Sequence, residues 1–325
     1  MQIVTEKDER KNERKFYLAP LEGITGYVYR NAYHQCFRPM DRYFTPFLAP
    51  KTQGGLSTRE REDVLPEHNQ GMQVIPQILT NRSEDFIRTA MWLKELGYQE
   101  VNLNLGCPSG TVTAKGKGAG FLAKPQELRQ FLEEVTEELD KRNMKYSVKT
   151  RLGVQEPEEF EELLELFAAF PLSELILHPR VLKDYYKNTP RLSWVEFSAK
   201  RLSCPLCYNG DITDPVSFQK IRDTFPEIDT VMIGRGILAD PFLTETLTGT
   251  ESGNRKERLI RFHTLLTEGY ERIMSGDRNV LFKMKEVWSY LGGLEPAWEP
   301  YLKKLKKAKS LNEYRVVTDA MFRVL

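Results

Sequence analysis

Short apolar runs recur along the chain up to about residue 240, most of them ending in or running into a polar residue or a glycine. They fall at 16–20, 43–48, 73–79, 101–105, 146–152, 174–180, 204–211 and 230–236. Their length and β-branched content predict strands. Between several of them the apolar spacing changes to that of a helix. The segment 83–96 follows Ser83, read as its cap, and Pro125 opens a helix carrying Leu128, Phe131, Leu132, Val135 and Leu139 on one face. An acidic amphipathic helix is predicted over 158–170, and Pro215 opens another. Strand and helix in regular alternation imply a parallel sheet. Eight such units in about 240 residues match an α/β fold of the (β/α)8 TIM-barrel class. A doubly wound open sheet is the rival, but the Gly-rich turn it places after the first strand is missing.

Past the polar break at 251–254 the strand pattern vanishes. Leu259, Phe262, Leu265, Leu266, Tyr270 and Ile273 fall at helical spacing, as do Val287, Tyr290 and Leu291, then Leu302, Leu305 and Leu311. The chain therefore divides into a barrel domain, 1–248, and a small C-terminal helical domain, 249–325, too short to build much core alone.

Composition narrows the class. Of 325 residues, 40% are hydrophobic and 29% charged, and the mean hydropathy is −0.49. No apolar run reaches the roughly 18 residues of a membrane span. The first 15 residues are charged rather than apolar, so no secretory signal is expected. Four cysteines in a chain of this length do not make a disulfide framework, and a reducing cytoplasm is the natural setting. The net charge is +1, but it is unevenly spread: residues 250–325 hold 15 Lys and Arg against 10 Asp and Glu. A basic C-terminal segment on a mildly acidic body suits a polyanion contact made mostly by that segment.

Polar residues gather at the carboxyl ends of the predicted strands. They are Pro20, Leu21 and Glu22; Gln77; Asn102 and Asn104; Lys149 and Arg151; His178 and Arg180; Asn209, Gly210 and Asp211; and Gly234, Arg235 and Gly236. In a parallel barrel these ends ring one pocket. Glycines after the seventh and eighth strands sit where barrels bind phosphate, which implies a phosphorylated substrate or a cofactor such as FMN. Gln77, Asn104 and Lys149 can hydrogen-bond a flavin edge. Cys107, on a Gly- and Lys-rich loop that can move, is then the proton donor or nucleophile. Cys204 and Cys207 form a lone CxxC at a strand start and read as core, and no metal site is expected. His34, His68 and His263 have no chemical context. His178 differs: an apolar strand runs into it and Arg180 follows on the same side.

The constellation Asn102-x-Asn104-x-Gly106-Cys107-Pro108, with Lys117-Gly118-Ala119-Gly120 downstream, resembles the signature of the tRNA-dihydrouridine synthases. The likeness covers about residues 16–325 and includes Ala19-Pro20-Leu21-Glu22-Gly23, Lys149-Thr150-Arg151, His178-Pro179-Arg180, Asn209-Gly210-Asp211 and Gly234-Arg235. Leu21 stands where the family usually has Met, and Pro179 replaces a small residue. The resemblance implies FMN bound by Pro20, Leu21, Glu22, Gln77, Lys149, His178, Asn209, Gly210, Asp211, Gly234 and Arg235. It implies NADPH as electron donor and Cys107 as the acid that protonates uracil C5 after hydride reaches C6. Asn104 and Arg180 would hold the flipped base. Arg278, Lys283, Lys285 and the lysines of 303–309 would grip the RNA, most simply a tRNA, with no stable protein partner. Two other readings stand beside it: a free-pyrimidine FMN oxidoreductase of the dihydroorotate-dehydrogenase type, and a dihydrouridine synthase acting on rRNA. The basic helical segment weighs against the first, because a free base needs no polyanion grip.

Overall fold

The computed structural model describes residues 14–51 and 55–325. The charged stretch 1–13, read above as carrying no secretory signal, lies outside the described residues. The described chain forms two compact units. The first holds the residues up to Pro20 with Asp41–Gly210 and Ile221–Ile233; the second holds Leu21–Met40, Asp211–Lys220 and Gly234–Leu325.

The whole sheet belongs to the first unit. Its strands are β1 (Lys15–Leu18), β2 (Arg42–Phe44), β3 (Val74–Ile75), β4 (Gln77–Ile78), β5 (Glu100–Leu105), β6 (Lys145–Thr150), β7 (Leu175–Leu177), β8 (Leu206–Tyr208) and β9 (Thr230–Ile233). Every pairing between them is parallel, in the order β3-β2-β1-β9-β8-β7-β6-β5-β4. The two terminal segments, β3 and β4, are halves of one run broken only at Pro76. That break costs little: the Pro76 carbonyl still accepts from the Asn102 N–H at 2.8 Å. The ring is thus closed through this run, and eight strand positions make a TIM-type barrel, as the alternation predicts. Strands covered on both faces read as continuous apolar runs, and all of β5, β7 and β9 is buried.

The helices Ser83–Glu95, Pro125–Asp140 and Phe160–Ala168 bury the faces their spacing marked. Phe86 meets Phe131 edge-on at 5.7 Å. Ser83 is not the cap expected of it. Arg82 takes that position without a side-chain bond, and the Ser83 hydroxyl donates to Glu134 instead. The acidic helix begins later than predicted, because Pro157 sets a 3-10 turn ahead of Phe160.

The amino-terminal end of the barrel encloses a charged cluster. Arg42 lies 3.2 Å from Glu100 and 3.9 Å from Glu174, and its guanidinium also covers the Tyr17 ring. Tyr17 donates to Glu174 Oε1 at 3.3 Å, while buried Oε2 accepts no hydrogen bond among the described residues. Burial raises the Glu174 carboxyl to about 7; Arg42 opposes the rise and Glu100 adds to it. The folded state therefore holds this proton better than the unfolded chain. The group's contribution is full below the ordinary carboxylate pKa and is lost as pH rises through about 7. Glu174→Gln keeps the polar contacts and cannot ionise. Between pH 5 and 8 the wild type should lose about 2 to 3 kcal/mol that the variant retains, measured by urea unfolding at several pH values. Parallel pH profiles would reject the assignment.

The second unit is helical. Helices Tyr27–Cys36 and Arg255–Ile273 pack so closely that a Cβ on Gly269 would come within 2.6 Å of Val28. Arg258 ties them, donating to the Cys36 carbonyl at 2.8 Å and to buried Glu245. The C-terminal helices have more core than their length suggested. Trp288, Trp298, His263, Tyr314 and Phe322 form one aromatic cluster. Its polar edges are satisfied: Trp288 Nε1 and His263 Nε2 both meet the Tyr314 hydroxyl, and Trp298 Nε1 donates to the Met321 carbonyl. Burial holds the His263 imidazole near 4, so it is neutral and structural. Among the described residues no helix is long and apolar enough to cross a membrane, and no group of His, Cys, Asp or Glu could hold a metal ion.

Candidate active site

Within the barrel unit, a chain of side-chain amides runs across the carboxyl-terminal half of the sheet. Gln77, on β4, donates to Asn102 Oδ1 at 2.7 Å and accepts from Asn104 Nδ2 at 2.6 Å. Asn102 in turn donates to Ser147 on β6 at 3.0 Å. Asn102 and Asn104 are two apart on one strand and so face the same side. The remaining acceptor of Asn104 takes the backbone N–H groups of Gly106 (3.1 Å) and Cys107 (2.9 Å).

Cys107 is half-buried and not in a disulfide. Its backbone is pinned from both sides: its N–H by Asn104, its carbonyl by the Ala119 N–H at 3.1 Å. Sequence reasoning placed this thiol on a movable loop. The structure folds that stretch into two short helices, Gly110–Thr113 and Gly118–Ala123. Gly118 sits at φ +57°, and a Cβ there would stand 2.9 Å from the Cys107 carbonyl. The two halves of the motif are thus in contact, and only glycine lets them meet. Asn104→Ala would strand two N–H groups and the Gln77 oxygen, each at about 1 kcal/mol or more. A fall of about 2 to 4 kcal/mol in unfolding free energy is expected, with turnover reduced, and full activity would show the latch to be dispensable.

Arg151 braces the same loop from β6, donating to the Gly106 carbonyl at 2.9 Å and to the Val181 carbonyl at 3.0 Å. Its guanidinium lies under the Tyr186 ring. Two residues earlier, Lys149 is half-buried and makes no side-chain hydrogen bond or ion pair among the described residues. Burial, with Arg151 beside it, lowers its ammonium to about 8; Cys207 and Cys107 pull slightly the other way. An enclosed cation without a counter-ion is costly. It marks a place where negative charge is to be held.

His178 follows β7 and is buried. Arg180 Nη1 lies 3.2 Å from its Nε2. A guanidinium cannot accept, so Nε2 is the unprotonated nitrogen and Nδ1 carries the hydrogen. Burial first, then the charges of Arg151, Lys149 and Arg180, hold its pKa well below the ordinary value, and the ring is neutral at pH 7. Arg180 itself is 1% exposed and donates to the Asn188 carbonyl. In this state it orients His178 and the following loop. Asn209, after β8, is buried and donates to the Met232 carbonyl at 2.8 Å. Gly210 was read as permitting close approach of a ligand. The structure gives another reason: a Cβ there would lie 1.9 Å from the Tyr208 hydroxyl. Cys207 is fully buried, and burial raises its thiol far above the ordinary value, as for a core cysteine.

In the second unit, Arg235 pairs with Asp211 at 2.8 Å, both partly exposed, and Gly234 precedes the short helix Arg235–Ala239. The turn after Pro20 is closed by the Leu21 N–H to Thr25 at 2.8 Å, with Glu22 exposed and Gly23 at φ +78°. Lys283 is occupied here, donating to the Gly23 carbonyl at 2.5 Å and to Glu286 at 2.6 Å. Lys285 is occupied too: it donates to the Lys306 and Ala308 carbonyls and caps the helix Glu299–Lys307. Sequence reasoning gave both lysines to RNA. The structure gives them first to the protein. Lys303, Lys304, Lys306, Lys307 and Lys309 do stand exposed on and after the helix that Lys285 caps. Arg278 is exposed beside Phe282, its guanidinium 5.4 Å from the ring.

The barrel resembles solved oxidoreductase structures in fold alone. Morphinone reductase superposes with a TM-score of 0.53 at 14% identity, covering 77% of this chain and 88% of that one. An old yellow enzyme homologue from Zymomonas mobilis gives 0.52 at 12%, covering 74% and 90%. In sequence, the chain is 29% identical to a probable tRNA-dihydrouridine synthase of Staphylococcus aureus (strain COL) over 314 residues, 94% of this chain and 92% of the relative. It is 28% identical to probable tRNA-dihydrouridine synthase 2 of Bacillus subtilis (strain 168) over 331 residues, 97% of each. The family model described as dihydrouridine synthase (Dus) matches residues 17–322. With nearly every described residue inside that match, the chain belongs to the dihydrouridine synthase family.

Proposed function

We propose that this protein is an oxidoreductase that reduces uridine to 5,6-dihydrouridine in tRNA, with FMN as cofactor and NADPH as electron donor. Family membership and the names of the relatives support the reaction and the substrate. The observation that carries the cofactor is Lys149, an enclosed ammonium with no hydrogen-bond or ion-pair partner among the described residues, beside the pinned Cys107 loop. That donor set fits a flavin. Lys149 favours negative charge on the ring edge, Gln77 offers a fixed amide, and His178 is held neutral between Arg180 and Asn209. The family resemblance further assigns Pro20, Leu21, Glu22, Asn209, Gly210, Asp211, Gly234 and Arg235 to the cofactor.

FMN, when bound, would supply hydride to uracil C6, with NADPH as its electron source. Cys107 gives its proton to C5, the thiolate left behind is favoured by the ammonium of Lys149, and solvent restores the proton. Arg180 and Asn104 keep His178 and Cys107 aimed. The uridine has to leave its stack to reach them, which costs a few kcal/mol and is easiest in a loop. The exposed lysines of 303–309 and Arg278 would hold the phosphate backbone, which positions the RNA without choosing the base.

The purified protein should be yellow and release FMN on denaturation. With NADPH and an unmodified tRNA transcript, nucleoside mass spectrometry should show a uridine that has gained two hydrogens. A protein that turns over dihydroorotate and leaves tRNA unchanged would overturn the proposal.

A further inference from the structure

Loop 181–191, which follows β7, is cross-braced at several points. Buried Asp184 accepts from the Val181 N–H at 3.0 Å, from Asn188 and from Arg191. Burial pushes the Asp184 carboxyl up, but Arg191, Asn188 and the Val181 N–H outweigh it and hold it at about 2. Leu182 and Lys183 bond to the carbonyls of Gly153 and Val154 at 2.9 and 3.1 Å, and Arg191 to that of Pro179 at 2.8 Å. The loop is a rigid bracket.

At its tip stand Tyr185 and Tyr186, 49% and 50% exposed. They are not equivalent. Tyr186 has work within the barrel unit, lying over Arg151 at 5.3 Å and edge-on to His178 at 6.1 Å. Tyr185 makes no ring contact and no side-chain hydrogen bond among the described residues. Its backbone is at φ +51°, ψ −100°, a region that costs a bulky L-residue about 1 to 3 kcal/mol and glycine almost nothing. The position thus keeps a large aromatic against both steric strain and exposure to water. Lys183 and Lys187 flank the pair, and Lys187 is exposed without a side-chain partner among the described residues. An unpartnered aromatic between cations on a rigid loop is the arrangement on which single-stranded bases stack.

We propose that Tyr185 is a positioning residue, a stacking platform for the nucleobase that flanks the extruded uridine. The inference rests on the reading that the chain modifies a uridine in RNA. Extrusion leaves the neighbouring base with one bare face, and a fixed ring set beyond Tyr186 covers that face and holds the strand open. Tyr186 keeps its place over Arg151 and edge-on to His178.

Three variants test this. Tyr185→Gly removes the ring where glycine is the least strained residue, so its melting temperature should match or exceed that of the wild type. Its KM for tRNA should rise about tenfold with kcat within about twofold. Tyr185→Phe keeps the ring and should behave as wild type. Tyr185→Trp should show tRNA-dependent fluorescence quenching in its difference spectrum against wild type. An unchanged KM in the glycine variant, a phenylalanine variant as poor as the glycine one, or an unquenched indole each overturns the platform. The underlying reading fails separately, if wild type forms no dihydrouridine; quenching that persists in that case would still uphold stacking.

Discussion

Cys107→Ala should leave the protein folded and able to bind both cofactor and tRNA, yet lower dihydrouridine formation by about 10² to 10⁴, the usual worth of a positioned general acid. The reason lies in how the thiol is held. Its N–H is latched by Asn104 and its carbonyl by Ala119, and neither bond uses the side chain. Removing the sulfur therefore leaves both latches in place and takes away the proton. Cys107→Ser keeps the shape but offers a much weaker acid and should recover only a small part of the loss. The measurement is single-turnover conversion of a tRNA transcript. Reduction of the cofactor by NADPH, followed in the same sample, should be unaffected. A Cys107→Ala protein within tenfold of wild type would remove the thiol from the reaction.

Lys149→Met should have two effects of opposite sign. In the cofactor-free protein the ammonium is enclosed and unpaired among the described residues, and burial lowers its pKa to about 8 from the 10.5 of the free side chain. Below the folded-state value that depression is a penalty of about 3 kcal/mol, and it shrinks as pH rises from about 8 toward 10.5. Methionine removes the penalty. The cofactor-free variant should therefore unfold at higher urea concentration than wild type at pH 7, with the difference fading above pH 8. Cofactor affinity should move the other way, falling about ten- to a hundredfold at pH 7 as a charged hydrogen bond is lost. In wild type the dissociation constant should be level from pH 7 to 8 and then climb, because above 8 binding has to take up the proton that Lys149 has shed. In Lys149→Met that climb should be absent. A variant less stable without cofactor, or with the wild-type pH profile, would show that the ammonium has another partner.

Much of the site could be read along the chain because its groups sit in or just past a strand, where the apolar pattern stops and a polar residue replaces it. His178 and Asn209 stand out for this reason and follow β7 and β8 directly, while Lys149 is the last residue but one of β6 and Gln77 opens β4. The clamp on Cys107 was not legible. Its parts, Asn104, Arg151 and Ala119, look in sequence like a ligand, a second cation and a spacer. Lys283 and Lys285 read in sequence as polyanion contacts, and their partners within the protein, the Gly23 carbonyl and Glu286 for one and the Lys306 and Ala308 carbonyls for the other, were not legible there. Glu174 also escaped notice, since a carboxylate before an apolar strand has the look of an ordinary solvated start.

Periodicity by itself determined the barrel, its eight strand positions, the helical segment after residue 254 and the rank of residues facing the reactive end. These are local properties, written by side-chain spacing of two or of 3.6. Tertiary structure decided which polar groups were spent on one another and which were left over, because hydrogen-bond partners are assigned by contacts between residues far apart in the chain. Out of that assignment came a thiol fixed rather than mobile, a histidine held neutral, a glycine required by a tyrosine, and one lysine and one tyrosine with nothing in the described protein to answer them.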